Sequence, residues 1–196
     1  HAKVASNVLD HAINMDGHVQ ANTVHKYGGT IILSANGQGV TRIIGKLKAS
    51  GKNAGEKGGV IIIAGNHILL DSGASLDVSG DAGGGQIMIG GQTTSQITMM
   101  PDVNLYADAI SNGNGGSVIL WAHDVARAFG FISARGGKYS GDGGFIETSA
   151  RYHLDVDRLQ VDTRSFFGKI GAWLLDPLDV NVGLAVASAL ATTNVT

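Results

Sequence analysis

A short apolar motif recurs along this chain of 196 residues with a spacing that stays close to 28 residues. Its copies begin at Val19, Leu47, Leu76, Leu105, Ile132 and Leu159, which are 28, 29, 29, 27 and 27 positions apart. A fixed period of this size is the signature of a repeat architecture, in which each unit buries its apolar face against its neighbours. The repeat therefore restricts the fold to a stack of similar units.

Two further motifs recur with the same period, out of phase with the first. One is a glycine followed by an alternating apolar run, with copies at Gly29, Gly59, Gly85, Gly116, Gly144 and Gly171. The other is a weaker apolar run, with copies at Val40, Ile68, Ile97, Val125 and Leu154 and a last one at Val180. The runs are short, alternate with period two and are bounded by Gly, Asn, Asp or Ser, which favours strands over helices.

Three short strands in each period predict an all-β fold, a parallel β-helix of about six turns. Stacking gives each strand a parallel neighbour on either side and a shared core. The composition agrees, because 30 glycines supply turns, while 2 prolines and no third-residue glycine period exclude a collagen helix. Leucine-rich repeats need an asparagine ladder and a helix-like return arm, and propeller blades need about 40 residues with four antiparallel strands. Neither pattern occurs here.

The side chains two and four residues after each recurring glycine are predicted to point into the coil and to stack as ladders. They are Ile31 and Leu33, Ile61 and Ile63, Ile87 and Ile89, Val118 and Leu120, Ile146 and Thr148, and Trp173 and Leu175. The residues between them form an outer apolar ladder, Ile32, Ile62, Met88 and Ile119, which we expect to end at Glu147. Either the N-terminal stretch or residues 182–191 cover this ladder, or a partner binds it.

The alternation decays after Pro177 into small residues that suit a short helix or a flexible link. We therefore predict an N-terminal cap or lead-in strand over residues 1–17, the parallel β-helix over 18–182, and a C-terminal cap or linker over 183–196. Caps are expected because terminal turns expose unpaired strand edges. A rod of six turns would be only about 29 Å long, so we expect the chain to be a piece of a longer protein.

Charge and hydropathy exclude several classes of function. The 14 Lys+Arg and 16 Asp+Glu residues give a formal net charge of −2 without a basic block, so no nucleic-acid partner is expected. No apolar run approaches the ~20 residues of a membrane span, so no membrane insertion is expected. The chain has no cysteine, which excludes disulfides, cysteine-based zinc sites and thiol catalysis.

Parallel β-helices also carry polysaccharide lyases and hydrolases, whose clefts hold several carboxylates, so the acidic positions need inspection. Asp155 and Asp157 have a spacing of two that places them on one face, with Arg158 beside them. The turns of 51–58 and 136–143 are the longest departures from regularity, and both are small and polar. We therefore predict no concave catalytic site and no catalytic residue.

A second set of charges falls at matching places in three repeats. Asp108 and Asp162 are two repeats apart and Arg135 lies between them, which predicts a ladder of Asp108, Arg135 and Asp162. Stacked charges of alternating sign satisfy one another at an exposed surface, so the ladder is interpreted as structural. An acid pair for glycoside cleavage is the alternative.

No metal or cofactor site is predicted. His11, His18 and His25 are seven residues apart, which puts alternate members on opposite faces of a strand. Residues 79–85 and 140–144 are similar to Gly-Asp calcium-binding repeats, but they occur once per period instead of as tandem nonapeptides, which favours turn chemistry. The chain contains no GxxxxGK[ST], GxSxG or HExxH motif.

One modification site is a candidate from the sequence. Asn194, Val195 and Thr196 form an acceptor sequon for N-glycosylation. A single tripeptide of this kind also arises by chance.

The most specific motifs lie in residues 143–182, which read GGFIETSARYHLDVDRLQVDTRSFFGKIGAWLLDPLDVNV. GGF, ETS, VDT and WLLDP follow one another at residues 143–145, 147–149, 161–163 and 173–177. Their order and spacing resemble a segment of two-partner-secretion exoproteins, the filamentous-haemagglutinin-like and high-molecular-weight adhesins. Upstream turns such as 48–51 and 58–64 resemble the same proteins more generically.

The resemblance implies a right-handed β-helix that crosses the outer membrane unfolded through a partner transporter and then folds outside the cell. We accordingly expect a secreted, surface-associated adhesin segment without catalysis, with host-cell or matrix glycans or other bacterial surfaces as partners. Two alternatives stay open, a polysaccharide-degrading β-helix enzyme and a purely structural shaft that presents a distal binding domain. The family's receptor-binding residues have no motif in this sequence, so no ligand-binding residue is assigned.

Overall fold

The computed structural model describes residues 29–35, 39–183, 189 and 192–196, and the backbone of 11–15 and 18–20. In this part of the chain, three parallel sheets of seven, six and seven strands form a solenoid. Successive strands enter the first, second and third sheet in turn, so each coil adds one strand to every sheet, except that the last two described strands join the first and third sheets only. The predicted all-β parallel β-helix with three strands per turn is confirmed.

The strands are short and evenly distributed over the three sheets. The first sheet contains β1 (His11–Met15), β4 (Val40–Ile43), β7 (His67–Leu70), β10 (Gln96–Met99), β13 (Val125–Ala128), β16 (His153–Asp155) and β19 (Val180–Asn181). The second contains β2 (His18–Gln20), β5 (Lys46–Lys48), β8 (Ser75–Asp77), β11 (Asn104–Tyr106), β14 (Phe131–Ser133) and β17 (Gln160–Asp162). The third contains β3 (Thr30–Ser34), β6 (Val60–Ala64), β9 (Gln86–Gly90), β12 (Ser117–Ala122), β15 (Phe145–Ala150), β18 (Ala172–Pro177) and β20 (Asn194–Val195).

The inward ladders that the glycine motif predicts form the third sheet's part of the core, and inward residues of the other two sheets complete it. In the third sheet Ile31, Ile61, Ile87, Val118, Ile146 and Trp173 stand in one register, and all of them are buried. Ile63, Ile89, Leu120 and Thr148 form the second ladder and are also buried. Leu33 and Leu175, at the two ends of this second ladder, are only partly buried and pack against the core. The predicted core is confirmed.

The intervening residues of the third sheet face outward, as predicted. Ile32 is 59% exposed, and the outward residues of the next strands are half-buried. Glu147 does not end this outer apolar ladder, because its neighbour in β18 is Leu174. The described part of the C-terminal tail adds β20 to the edge of β18 and does not cross the outer face. The N-terminal stretch 1–10, the other proposed cover, lies outside the described residues.

The last copy of the first motif is displaced from its predicted position. Ile132 pairs with Val161, so Val161 and not Leu159 continues the ladder of the second sheet. Both residues are buried, at 0% for Leu159 and 4% for Val161. The prediction failed because a register shift of two residues keeps the same side chains on the inner face. The apolar pattern therefore fits either position equally well.

Glycine is required where the chain passes from the second sheet to the third. A Cβ atom on Gly115 would collide with the carbonyl oxygen of Ala134 in the next coil, and one on Gly143 would collide with that of Thr163. Consecutive coils therefore approach each other at this corner more closely than any side chain permits. The first glycine of the recurring motif meets the same limit, because a Cβ atom on Gly116 would collide with the carbonyl oxygen of Gly85 in the preceding coil.

Candidate functional site

Asp108 and Arg135, two members of the predicted charge ladder, are in direct contact. Arg135 donates to Asp108 Oδ2 from Nη2 over 2.6 Å and from Nε over 3.1 Å, and its backbone N–H donates to Oδ1 over 2.8 Å. The side-chain hydrogen bonds to Asp108 raise the pKa of Arg135. This part of the predicted ladder is confirmed.

The third predicted member, Asp162, is paired with Arg164 and not with Arg135. Arg164 donates from Nη2 to Asp162 Oδ2 over 2.7 Å, and from Nε and its backbone N–H to Oδ1 over 2.9 and 3.0 Å. The displaced register is the reason, because Asp162 lies beside Ser133. Burial acts to raise the pKa of Asp162, but hydrogen bonds from Arg164 and the charges of both arginines hold it below its ordinary value.

Asp155 and Asp157 lie elsewhere, at the end of a strand of the first sheet and in the turn that follows it. Asp155 Oδ1 accepts hydrogen bonds from the backbone N–H of Asp157 over 3.1 Å and from Asn181 Nδ2 over 3.2 Å. Arg158 Nε lies 3.8 Å from Asp157 Oδ2, and Arg158 has a left-handed φ of 67°. These contacts stabilise a turn, and neither aspartate lines the cleft described below.

The two Gly-Asp segments join neighbouring coils. Asp81 accepts hydrogen bonds from the backbone N–H of Gly55 over 2.7 Å and from the hydroxyl of Ser111 over 2.5 Å. Asp142 accepts one from the backbone N–H of Lys169 over 2.8 Å. Each carboxylate thus bridges two turns of the solenoid, which supports the turn interpretation over a calcium site.

Two of the three histidines at sevenfold spacing lie in strands that the structure describes. His11 and His18 begin β1 and β2, and His25 lies outside the described residues. Within the described ranges, no group of three or more His, Asp or Glu side chains could hold a metal ion.

A cleft of about 900 Å³ lies on the outer face of the second sheet, beside the turns that follow its strands. Its volume is in the range of about 300–1,000 Å³ that is typical of ligand-binding sites. Asp77, Tyr106, Asp108, Arg135 and Arg164 line it, and they come from four successive coils. This cleft was not predicted from the sequence, and the absence of a concave catalytic site stays a prediction.

Each carboxylate at the cleft is paired with a cation. Lys52 Nζ lies 2.9 Å from Asp77 Oδ2, next to the two aspartate–arginine pairs described above. The Nζ atom of Lys138 lies 5.2 Å from the ring centroid of Tyr139, in cation–π contact. Of the four cations lining the cleft, Lys138 is the one for which the described residues provide no carboxylate partner.

Exposed aromatic side chains stand at one end of the cleft. Tyr139 is 62% exposed, Phe166 80% and Phe167 75%. Such large apolar groups gathered on one surface of a protein mark a site of interaction. They come from the turns after β14 and β17, which also contain Arg135 and Arg164 and lie in adjacent coils.

A signal for this site is present in the sequence but depends on the register. When Val161 is aligned with Ile132, Arg135 and Arg164 occupy equivalent positions, and each is followed within four residues by an aromatic side chain. With Leu159 as the aligned residue, this coincidence disappears.

The arrangement is suited to binding. Aromatic rings provide apolar contact area with low conformational entropy, and the fixed ion pairs provide oriented hydrogen-bond donors and acceptors. A general acid for glycoside cleavage needs a carboxyl group with a raised pKa, whereas the pKa of Asp162 is lowered.

Asn194, the candidate glycosylation site, lies in β20 and its side chain is exposed. Its Nδ2 atom donates a hydrogen bond to the backbone carbonyl of Ile170 over 3.1 Å. Whether this residue is modified stays a prediction.

No helix in the described ranges has the length and apolar character needed to cross a membrane. Comparison with protein-family models finds no match. Comparison with curated proteins finds no match either.

Proposed function

We propose that this chain is a segment of a secreted, surface-associated bacterial adhesin that attaches to host cells, matrix or other bacteria through the cleft on its second sheet. The observation that carries the proposal is the group of exposed rings, Tyr139, Phe166 and Phe167, beside a floor of fixed ion pairs. The resemblance of residues 143–182 to two-partner-secretion exoproteins supports an extracellular location and export through a partner transporter.

The pairing of the carboxylates supports a binding role without catalysis. Asp77, Asp108 and Asp162 are each held by a lysine or an arginine at 2.9 Å or less. The oxygens of Asp77 and Asp108 are in contact with these cations, and the arginine charges and hydrogen bonds hold the pKa of Asp162 below its ordinary value, so Asp162 is a poor proton donor near neutral pH. The polysaccharide-degrading alternative requires one of them to be released from its cation.

A binding screen of the purified chain against whole cells and a glycan array tests this proposal, with a heat-denatured sample as control. We expect saturable binding to at least one cell type. Substituting both rings, Phe166→Ser and Phe167→Ser, should abolish it, because these exposed side chains contribute contact area and little stability.

Tyr152→Ser is the matched control. Tyr152 is an aromatic residue that is 49% exposed and lies outside the cleft, so its replacement should leave binding unchanged. Failure of the unmodified chain to bind any cell or glycan at high micromolar concentration would favour the structural shaft.

A further inference from the structure

Building on the proposed function, we propose that the cleft binds an internal stretch of a linear, sparsely charged polysaccharide that lies along the solenoid axis. The length of the cleft, its charge and the strands that form its floor support this ligand class and this direction.

The lining residues continue from coil to coil along the axis. They begin at Lys52 after β5 and end at Phe167 after β17, so five successive coils contribute. Parallel strands are about 4.8 Å apart, so four steps give a cleft about 19 Å long. One step is close to the length of a pyranose residue, and the cleft therefore accommodates about four sugars.

Polar groups recur at every step of this distance. Ser79, Asp108, Arg135 and Arg164 occupy equivalent positions in consecutive coils. The side chains of Arg135 and Arg164 remain 47% and 57% exposed although both are paired with aspartates. Guanidinium donors that are not used by the aspartates thus face the cleft about once per sugar residue.

The charge of the cleft favours a ligand with few negative groups. Lys52, Arg135 and Arg164 are neutralised by Asp77, Asp108 and Asp162, which leaves the ammonium group of Lys138 in excess. A densely sulfated glycan or a nucleic acid would need many unpaired cations and would also face the carboxylates of Asp77 and Asp108. A ligand that carries an occasional carboxylate can place it beside Lys138 without breaking the ion pairs of the cleft.

The floor favours a sugar chain over an extended peptide. Peptides that bind sheets form main-chain hydrogen bonds with an exposed edge strand. β8, β11 and β14 are interior strands whose backbone groups are already paired on both sides. Only side chains are available to a ligand here, and aromatic rings next to charged side chains suit the apolar faces and the hydroxyl groups of sugars.

Calorimetry with oligosaccharides of increasing length tests the inference, with cello-oligosaccharides, hyaluronan oligosaccharides and heparin oligosaccharides as probes. For a non-sulfated series, we expect affinity to rise up to about four sugars and to change little beyond that length. The slope of log K against log salt concentration should be smaller than about one in magnitude.

Three results would overturn the inference. They are a disaccharide that binds as tightly as an octasaccharide, a preference for heparin with a steep salt dependence, and cell binding that persists when none of the three series binds. Cell binding that survives periodate oxidation but is lost after protease treatment would identify a protein partner. If cells are bound although none of the three series binds, or if binding is lost after protease treatment, attachment to cells stands and only the glycan inference fails. If the chain does not bind cells at all, the proposed function fails as well.

Two single substitutions sharpen the test. Lys138→Gln should weaken binding of hyaluronan oligosaccharides about two- to fivefold and leave cello-oligosaccharides unaffected, because it removes one exposed charge. Lys169→Gln removes a lysine outside the cleft and should change neither. An equal effect of both variants on hyaluronan would assign the contribution to net charge and contradict the role of Lys138.

Discussion

The indole N–H of Trp173 donates a hydrogen bond to the hydroxyl oxygen of Thr148 over 2.9 Å, and both side chains are completely buried. Thr148 stands in an inward ladder that is otherwise aliphatic from Ile63 to Leu120. A polar residue is tolerated there because the next coil supplies the donor that it needs. The bond also joins two of the motifs, ETS and WLLDP, that carry the family resemblance.

Replacing Thr148 with valine should lower the free energy of unfolding by about 1–3 kcal/mol, because the shape is retained and a buried indole N–H loses its acceptor. Thr41→Val is the matched control. The hydroxyl of Thr41 is also buried, and it has no hydrogen-bond partner among the described residues, so its removal should be neutral or stabilising. Urea unfolding followed by circular dichroism measures both variants, and equal losses would contradict the assigned bond.

Adjacent isoleucines in β6 test the orientation of the third sheet. Ile61 is fully buried, whereas Ile62 faces outward and is half-buried. Ile61→Asp places a charge in the core, at a cost comparable to the whole stability of a domain of this size, and should prevent folding. Ile62→Asp should remain folded. Circular dichroism and size-exclusion chromatography distinguish the two, and a soluble Ile61→Asp variant with a cooperative melt would refute the register.

The alternation of apolar residues predicts the strands and the core because it is a local property of each strand. It does not fix the pairing between strands. Leu159 was predicted to pair with Ile132, but Val161 takes that place. Both residues have the same parity and both are buried, so only the geometry of the intervening turn decides which of them meets Ile132.

The cleft could not be predicted for a related reason. Tyr139, Phe166 and Phe167 belong to turns, in which no periodicity tells where a side chain points. The sequence places them in two successive repeats, and the stacking of those repeats brings them to one surface. The predicted Asp108–Arg135 contact survives because both residues follow strands whose register was assigned correctly.

The corner between the second and third sheets predicts a strict requirement for glycine. Gly115→Ala should destabilise the fold by about 3 kcal/mol or more, because the added methyl group meets the backbone carbonyl of Ala134 and no rotamer relieves the collision. Ser117→Ala, two residues away in β12, should change stability by less than about 0.5 kcal/mol. Thermal unfolding of both variants measures the difference, and a Gly115→Ala protein as stable as the control would show that the coils can separate at this corner.

The ion pair between Asp162 and Arg164 predicts a contribution to stability that depends on pH. Because the pKa of Asp162 is below its ordinary value of 3.8 in the folded chain, the pair stabilises the fold above about pH 4. This contribution is lost as the pH falls below 3.8, when the folded carboxylate takes up its proton. Asp162→Asn should therefore be less stable than the unmodified chain at pH 7, and the difference should shrink at pH 2.

Asp176→Asn is the control for this measurement. Asp176 is exposed at the end of β18, and no ion pair involves it within the described part of the chain. Its replacement should produce little change at either pH. Melting temperatures of the three proteins between pH 2 and pH 7 measure the effect, and a constant difference between Asp162→Asn and the unmodified chain would mean that the Asp162 carboxylate gains nothing from Arg164. Because every other acidic residue is common to the two proteins, their difference isolates Asp162 from the general loss of stability in acid.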